Sequence, residues 1–109
     1  MSKTSNESAI LAAILLDLGG REGIRLFRNN CGRLRDRRGI YLTYGLCVGS
    51  SDIIGIRTAH GVGQFVALEV KDRGSLTEEQ KSFLAMVLSM GGIAACVRSV
   101  EEARTALGV

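Results

Sequence analysis

The chain has 109 residues, 46% of them apolar, and a formal charge of +3 at pH 7. That suffices for one hydrophobic core and leaves no room for a second, so residues 1–109 are expected to form a single domain whose chemistry shares one scaffold. The apolar stretch Ser8 to Leu16 is too short to span a bilayer, no signal-peptide order precedes it, and Cys31, Cys47 and Cys96 lack the paired spacing of a disulfide framework or thiolate zinc site; a soluble, intracellular protein with reduced cysteines is expected.

Ile10, Leu11, Ile14, Leu15 and Leu18 recur at helical spacing before Gly19-Gly20, which predicts a helix from about Asn6 to Leu18. Ile24 to Phe27 can form a short strand, and the Arg/Gly/Asn-rich stretch Arg28 to Gly39 reads as an exposed loop. Tyr44 to Val48 and Asp52 to Thr58 are β-rich runs, and Gln64 to Lys71 alternates, with Val66, Leu68 and Val70 on one face. Cys47 and Cys96 read as core strand residues. Phe83, Leu84, Met86, Val87 and Met90 mark a second helix that starts near Thr77 and stops at Gly91-Gly92. Ile93 to Val97 reads as a buried strand, and Ser99-x-x-Glu102 is a capping-box pattern opening a terminal helix through Ala103 and Leu107. The predicted class is α/β, in the order helix, three or four strands, helix, strand, helix (α-β-β-β-α-β-α with three). Because the last strand follows a helical crossover, the central sheet should be mixed, with helices on its faces.

The charge is concentrated. Seven arginines between Arg21 and Arg38 stand against Glu22 and Asp36, a local balance of +5 on a chain that carries −2 elsewhere. Guanidinium forks match phosphate oxygens, so Arg25, Arg28, Arg33, Arg35, Arg37 and Arg38, with Asn29 and Asn30 among them, are candidate contacts to a DNA backbone; the plain alternative is a solvated loop. Glu69 and Lys71, two apart on a strand, project from one face. A hairpin folded about His60 and Gly61 sets Asp52 opposite Glu69, each eight residues from the turn, with Cβ atoms roughly 5 Å apart. Opposed carboxylates call for a proton, a base or a cation, and their hard oxygens suit Mg²⁺ or Mn²⁺. Lys71 beside them could orient a water or stabilise charge developing on a phosphoryl group. A lone E-x-K is common, and only the combination is specific. His60 reads as an exposed turn residue, Ser50 and Ser51 have no His/acid partners for a covalent mechanism, and the glycines near Gly61 form no phosphate cradle, so no nucleotide cofactor is expected.

The segments Gly49-Ser50-Ser51-Asp52-Ile53-Ile54-Gly55, Phe65-Val66-Ala67-Leu68-Glu69-Val70-Lys71, Gly74 to Gln80 and Gly91-Gly92-Ile93-Ala94-Ala95-Cys96-Val97, with Asn29-Asn30-Cys31-Gly32 and Glu7, together form a pattern that covers nearly the whole chain. It resembles the PD-(D/E)xK nuclease superfamily and, within it, the virus-type replication-repair nuclease (VRR-NUC) domains. Ser51 stands where the superfamily name has proline, a residue that shapes the turn and supplies no ligand. The resemblance implies a restriction-endonuclease-like fold, metal ligation by Asp52, Glu69 and the backbone carbonyl of Val70, Lys71 acting on the nucleophilic water, and catalytic roles for Glu7 and Gln80. Thr4-x-x-Glu7 and Thr77-x-x-Gln80 also fit capping boxes, so capping is the alternative for both. Against it, Glu7 continues the stripe through Ile10, Leu11 and Ile14, and Gln80 shares a face with Phe83, Leu84 and Val87.

The expected function is metal-dependent hydrolysis of DNA. The resemblance further implies a homodimer that cuts branched DNA such as four-way junctions, and a phage or prophage origin. Flap or replication-fork cleavage is the enzymatic competitor. A catalytically idle DNA-binding module and a purely structural subunit are the alternatives of other classes.

Overall fold

Glycine turns and polar caps divide residues 5–109, the part of the chain that the computed structural model describes, into alternating elements. In order they are α1 (Ser5–Leu18), β1 (Ile24–Arg28), β2 (Gly32–Arg35), β3 (Tyr41–Tyr44), β4 (Ile53–Ala59), β5 (Val62–Val70), α2 (Glu78–Ser89), β6 (Ile93–Val97) and α3 (Val100–Leu107). A four-stranded sheet in the order β1-β4-β5-β6 lies between the helices, and β2 and β3 form a separate two-stranded ribbon. The first three strands of the sheet run antiparallel to their neighbours, while β6 joins β5 in parallel after the α2 crossover. This is the mixed, helix-flanked α/β sheet that the strand-helix-strand pattern requires.

The β4-β5 hairpin turns on His60 and Gly61, whose φ angles of 55° and 77° are the positive pair of a type I′ turn. That turn fixes the register from Ala59↔Val62 to Ile53↔Leu68. Alternation along β5 then sorts side chains onto two layers. Val66, Leu68 and Val70 pack with Ile53 and Val97 beneath Ile14 and Leu18 of α1 and Ala103 and Leu107 of α3. Each of these larger side chains contributes about 1.5–3 kcal/mol by leaving water. On the other face Ala67 meets Phe83, Leu84 and Val87 of α2.

Four expectations are corrected. The stretch Arg28 to Gly39 is not all loop: β2 pairs with β3 from Gly32↔Tyr44 to Arg35↔Tyr41, across a turn in which Gly39 N donates to the Asp36 carbonyl and the Asp36 carboxylate accepts from the amides of Arg38 and Ile40. The strand expected over Tyr44 to Val48 lies earlier, at Tyr41–Tyr44, because Gly45 (φ 89°) breaks it; Cys47 is therefore an exposed loop residue, not a core one. Strand β6 has only Val97 fully buried, and Cys96 is half-buried. At α3 only half of the expected box forms. The Ser99 hydroxyl accepts from Glu102 N, but the Glu102 carboxylate accepts from Arg98 N instead of the cap's own amide. Among the described residues no helix is long and apolar enough to cross a membrane.

Candidate active site

The β4-β5 register, continued one step past Ile53↔Leu68, sets Asp52 beside Glu69 at the open end of the sheet. Asp52 is pinned at both ends of its residue. Its carbonyl accepts from Asn29 N at 2.7 Å, and its Oδ2 accepts from Val70 N at 2.9 Å. Glu69 points to the α2 face and is only 3% exposed. Gln80 Nε2 donates to Glu69 Oε2 at 2.9 Å, while Oε1 is buried without a partner among the described residues. Burial first, and the neighbouring Asp52 second, push the Glu69 carboxyl up from 4.5 to about 8, against the opposing pull of Lys71. Lys71, half-buried just past the strand, is anchored by its backbone N–H to the Val97 carbonyl at 3.1 Å, and its ammonium has no ion-pair partner among the described residues.

Gln80 forms the capping box weighed for it and also contacts the buried carboxylate. Its Oε1 accepts from Thr77 N at 2.9 Å, and its backbone N–H donates to Thr77 Oγ1 at 3.1 Å, completing a capping box. Its amide NH₂ is thereby turned toward Glu69. One side chain starts the helix and fixes the buried carboxylate, because an amide offers an acceptor and a donor at once.

A cleft of about 410 Å³ opens beside Asp52 and Gln80, lined also by Leu11, Arg28, Cys31 and Glu79; Glu69 and Lys71 do not line it. Gly49 lets the loop before Asp52 approach α2: at φ 84° it is left-handed, and a Cβ there would lie 2.6 Å from that of Glu79. Asn29 ties this loop to β1. Its Nδ2 donates to Ser50 Oγ (2.8 Å) and to the Ser51 carbonyl (2.9 Å), and its Oδ1 accepts from Leu46 N. With both amide donors engaged within the protein, Asn29 holds the loop that carries Asp52.

No family model matches this chain, and no curated protein matches it.

Asp52, Glu69, Lys71 and Gln80 come together, and the Val70 backbone lies between Glu69 and Lys71. Glu7 occupies the first turn of α1, one turn before the cleft residue Leu11, half-exposed and without a hydrogen bond to the cluster among the described residues; Thr4, its expected capping partner, lies outside them. Of the arginines expected to touch DNA, Arg28 lines the cleft. Arg25 is folded back onto the carbonyls of Ile24 and Arg21. Arg33, Arg35, Arg37 and Arg38 lie on the ribbon. Sequence reasoning missed Cys31, whose Sγ lies 3.0 Å from Ser50 Oγ, and Glu79 on the rim; the only signal for Glu79 was its place beside Gln80 at a helix start.

The cluster fits a small hard cation. A buried carboxylate oxygen without a partner is a free ligand, and an acidic group held protonated by burial and a second carboxylate ionises readily when a cation takes the proton's place. Asp52, Glu69 and the Val70 carbonyl would supply three protein oxygens and leave the rest of the coordination shell to water, as Mg²⁺ favours.

Proposed function

We propose that this chain is a metal-dependent endonuclease that hydrolyses DNA phosphodiester bonds, with Asp52, Glu69 and the Val70 carbonyl holding Mg²⁺ or Mn²⁺. The observation that carries the reading is the paired Asp52 and Glu69, with an unpartnered buried oxygen on Glu69 and the unpaired Lys71 two residues on. When bound, the cation neutralises the two carboxylates and supplies Lewis acidity at the phosphoryl oxygens. Lys71 orients a water beside the phosphorus and stabilises the charge that builds on the phosphoryl group. Gln80 holds Glu69 in one rotamer, and the Val70 N–H does the same for Asp52. Arg28 on the cleft wall grips a flanking phosphate.

A preference for branched DNA, and action as a homodimer, extend this reading by resemblance. The exposed Met86, Met90 and Phe65, which line one apolar groove, support a second copy there. Cleavage of labelled four-way junction, flap, single-stranded and plain duplex DNA with Mg²⁺, Mn²⁺ or EDTA tests the proposal. Paired symmetric nicks on the junction are the expected outcome. Cutting confined to flaps or ends would replace the junction assignment, and DNA binding without metal-dependent cutting would leave an idle binding module.

A further inference from the structure

The ribbon formed by β2 and β3 belongs to neither edge of the central sheet. Its strand alternation separates two chemistries. Cross-strand partners share a face, so Arg33 and Arg35 lie with Thr43 and Tyr41 on one side, and Leu34, Leu42 and Tyr44 lie on the other. On the polar side the guanidinium carbons of Arg33 and Arg35 sit 4.6 and 5.4 Å from the centroid of the single Tyr41 ring. Two like charges are thus held on one aromatic platform, where the ring quadrupole stiffens both. Neither has a carboxylate partner among the described residues, and the one acid of the ribbon, Asp36, is already committed to Arg38 at 3.0 Å and to the turn amides. Arg37 stands exposed at the tip.

We propose that this ribbon is a duplex-binding arm that enters the major groove, with Arg33 and Arg35 on one face and Arg37 at the tip reaching the phosphates along the groove edges beside the scissile position. The proposal rests on the nuclease reading only for its place beside a cut. A two-stranded ribbon fits the major groove, and uncompensated guanidiniums fixed about two strand residues apart, roughly 7 Å, suit a stiff array of phosphates better than a flexible strand. Single-stranded binders need free aromatic faces on which unpaired bases stack. Here the one ring on the basic side, Tyr41, is 55% exposed but already carries both guanidiniums, 4.6 and 5.4 Å from its centroid. The arm therefore makes a double-stranded segment beside the cleft part of what the protein recognises.

Fluorescence anisotropy in EDTA, with a short labelled duplex and a single strand of the same length, tests this for the native protein, Arg33→Ala/Arg35→Ala and Arg33→Lys/Arg35→Lys. Binding is measured between about 50 and 200 mM salt. The alanine pair should weaken duplex binding at least about tenfold and flatten the slope of log K against log salt by about 2, leaving single-strand binding as it was, and the lysine pair should restore the slope. An alanine pair with native duplex affinity and slope, or an equal loss for duplex and single strand, would overturn the arm. If the native protein cuts DNA with Mn²⁺ while the slope is unmoved, the arm fails and the nuclease reading stands. A flattened slope in a protein that never cuts keeps the arm and removes the nuclease.

Discussion

The two faces of the central sheet are treated differently. Toward α1 and α3, Val66, Leu68 and Val70 are at most 1% exposed and close-packed. Toward α2, a single helix covers only β5 and β6, and Phe27, Ile56 and Phe65 remain 58%, 51% and 41% exposed. The one buried carboxylate among the described residues, Glu69, lies on this thinner side at the edge of α2's cover. The lesson is that one layer supplies stability while the other can hold an unsatisfied acid, since the strain of burying it is carried by a face already anchored from behind.

Substitutions on the two faces should therefore separate activity from stability. Asp52→Ala and Glu69→Ala should each lower metal-dependent cleavage by roughly 10²–10³-fold or more, with an intact far-ultraviolet dichroism spectrum. Leu68→Ala, one residue from Glu69 on the opposite face, should instead cost about 2–5 kcal/mol in urea unfolding without abolishing Mn²⁺ binding.

The pH dependence sharpens the contrast. Because the folded Glu69 carboxyl titrates near 8 and its ordinary value is 4.5, the unfolded chain gives up this proton more readily. Stability from this group is complete below 4.5 and is lost as pH rises through about 8. Unfolding midpoints of the metal-free protein should fall over that window, and Glu69→Gln should flatten the fall. A cation needs the carboxylate, so its affinity should rise over the same window, with proton release on binding.

Gln80 divides the two effects within one side chain. Gln80→Ala should cost about 1 kcal/mol through the lost cap and also reduce cleavage, whereas Gln80→Glu keeps the cap acceptor, removes the donor to Glu69 and should impair cleavage alone. The smallest effect belongs to Ser51, whose buried hydroxyl has no partner. Ser51→Ala should raise stability by about 1 kcal/mol in the same unfolding measurement, because an unsatisfied buried polar atom is removed without a cavity of consequence.

Much of this arrangement was legible in the sequence. The stripe of α1, the hairpin about His60 and Gly61 and the start of α2 follow from periodicity and local turn chemistry, and the hairpin register alone brings Asp52 to Glu69. The ribbon was illegible because Arg28 to Gly39 has the composition of a loop; its strands are set by a local turn, with Asp36 bonding its own neighbours and Gly39 at φ 83°. The opposite error at Tyr44 to Val48 has the same source, since Gly45 and Gly49, both at positive φ, outweigh the β propensity between them. Capping and active-site roles looked exclusive for Gln80 only because sequence assigns one role per residue. The amide geometry allows two.

Cleavage of labelled four-way junction DNA by the native protein, Asp52→Ala and Lys71→Ala, each with Mg²⁺ or Mn²⁺ and with EDTA, addresses the Asp52–Glu69 pair most directly. The native protein should cut with metal, and cutting should be lost in EDTA and in both variants. Cutting that persists in EDTA, or equally in both variants, would contradict the proposed role of that pair.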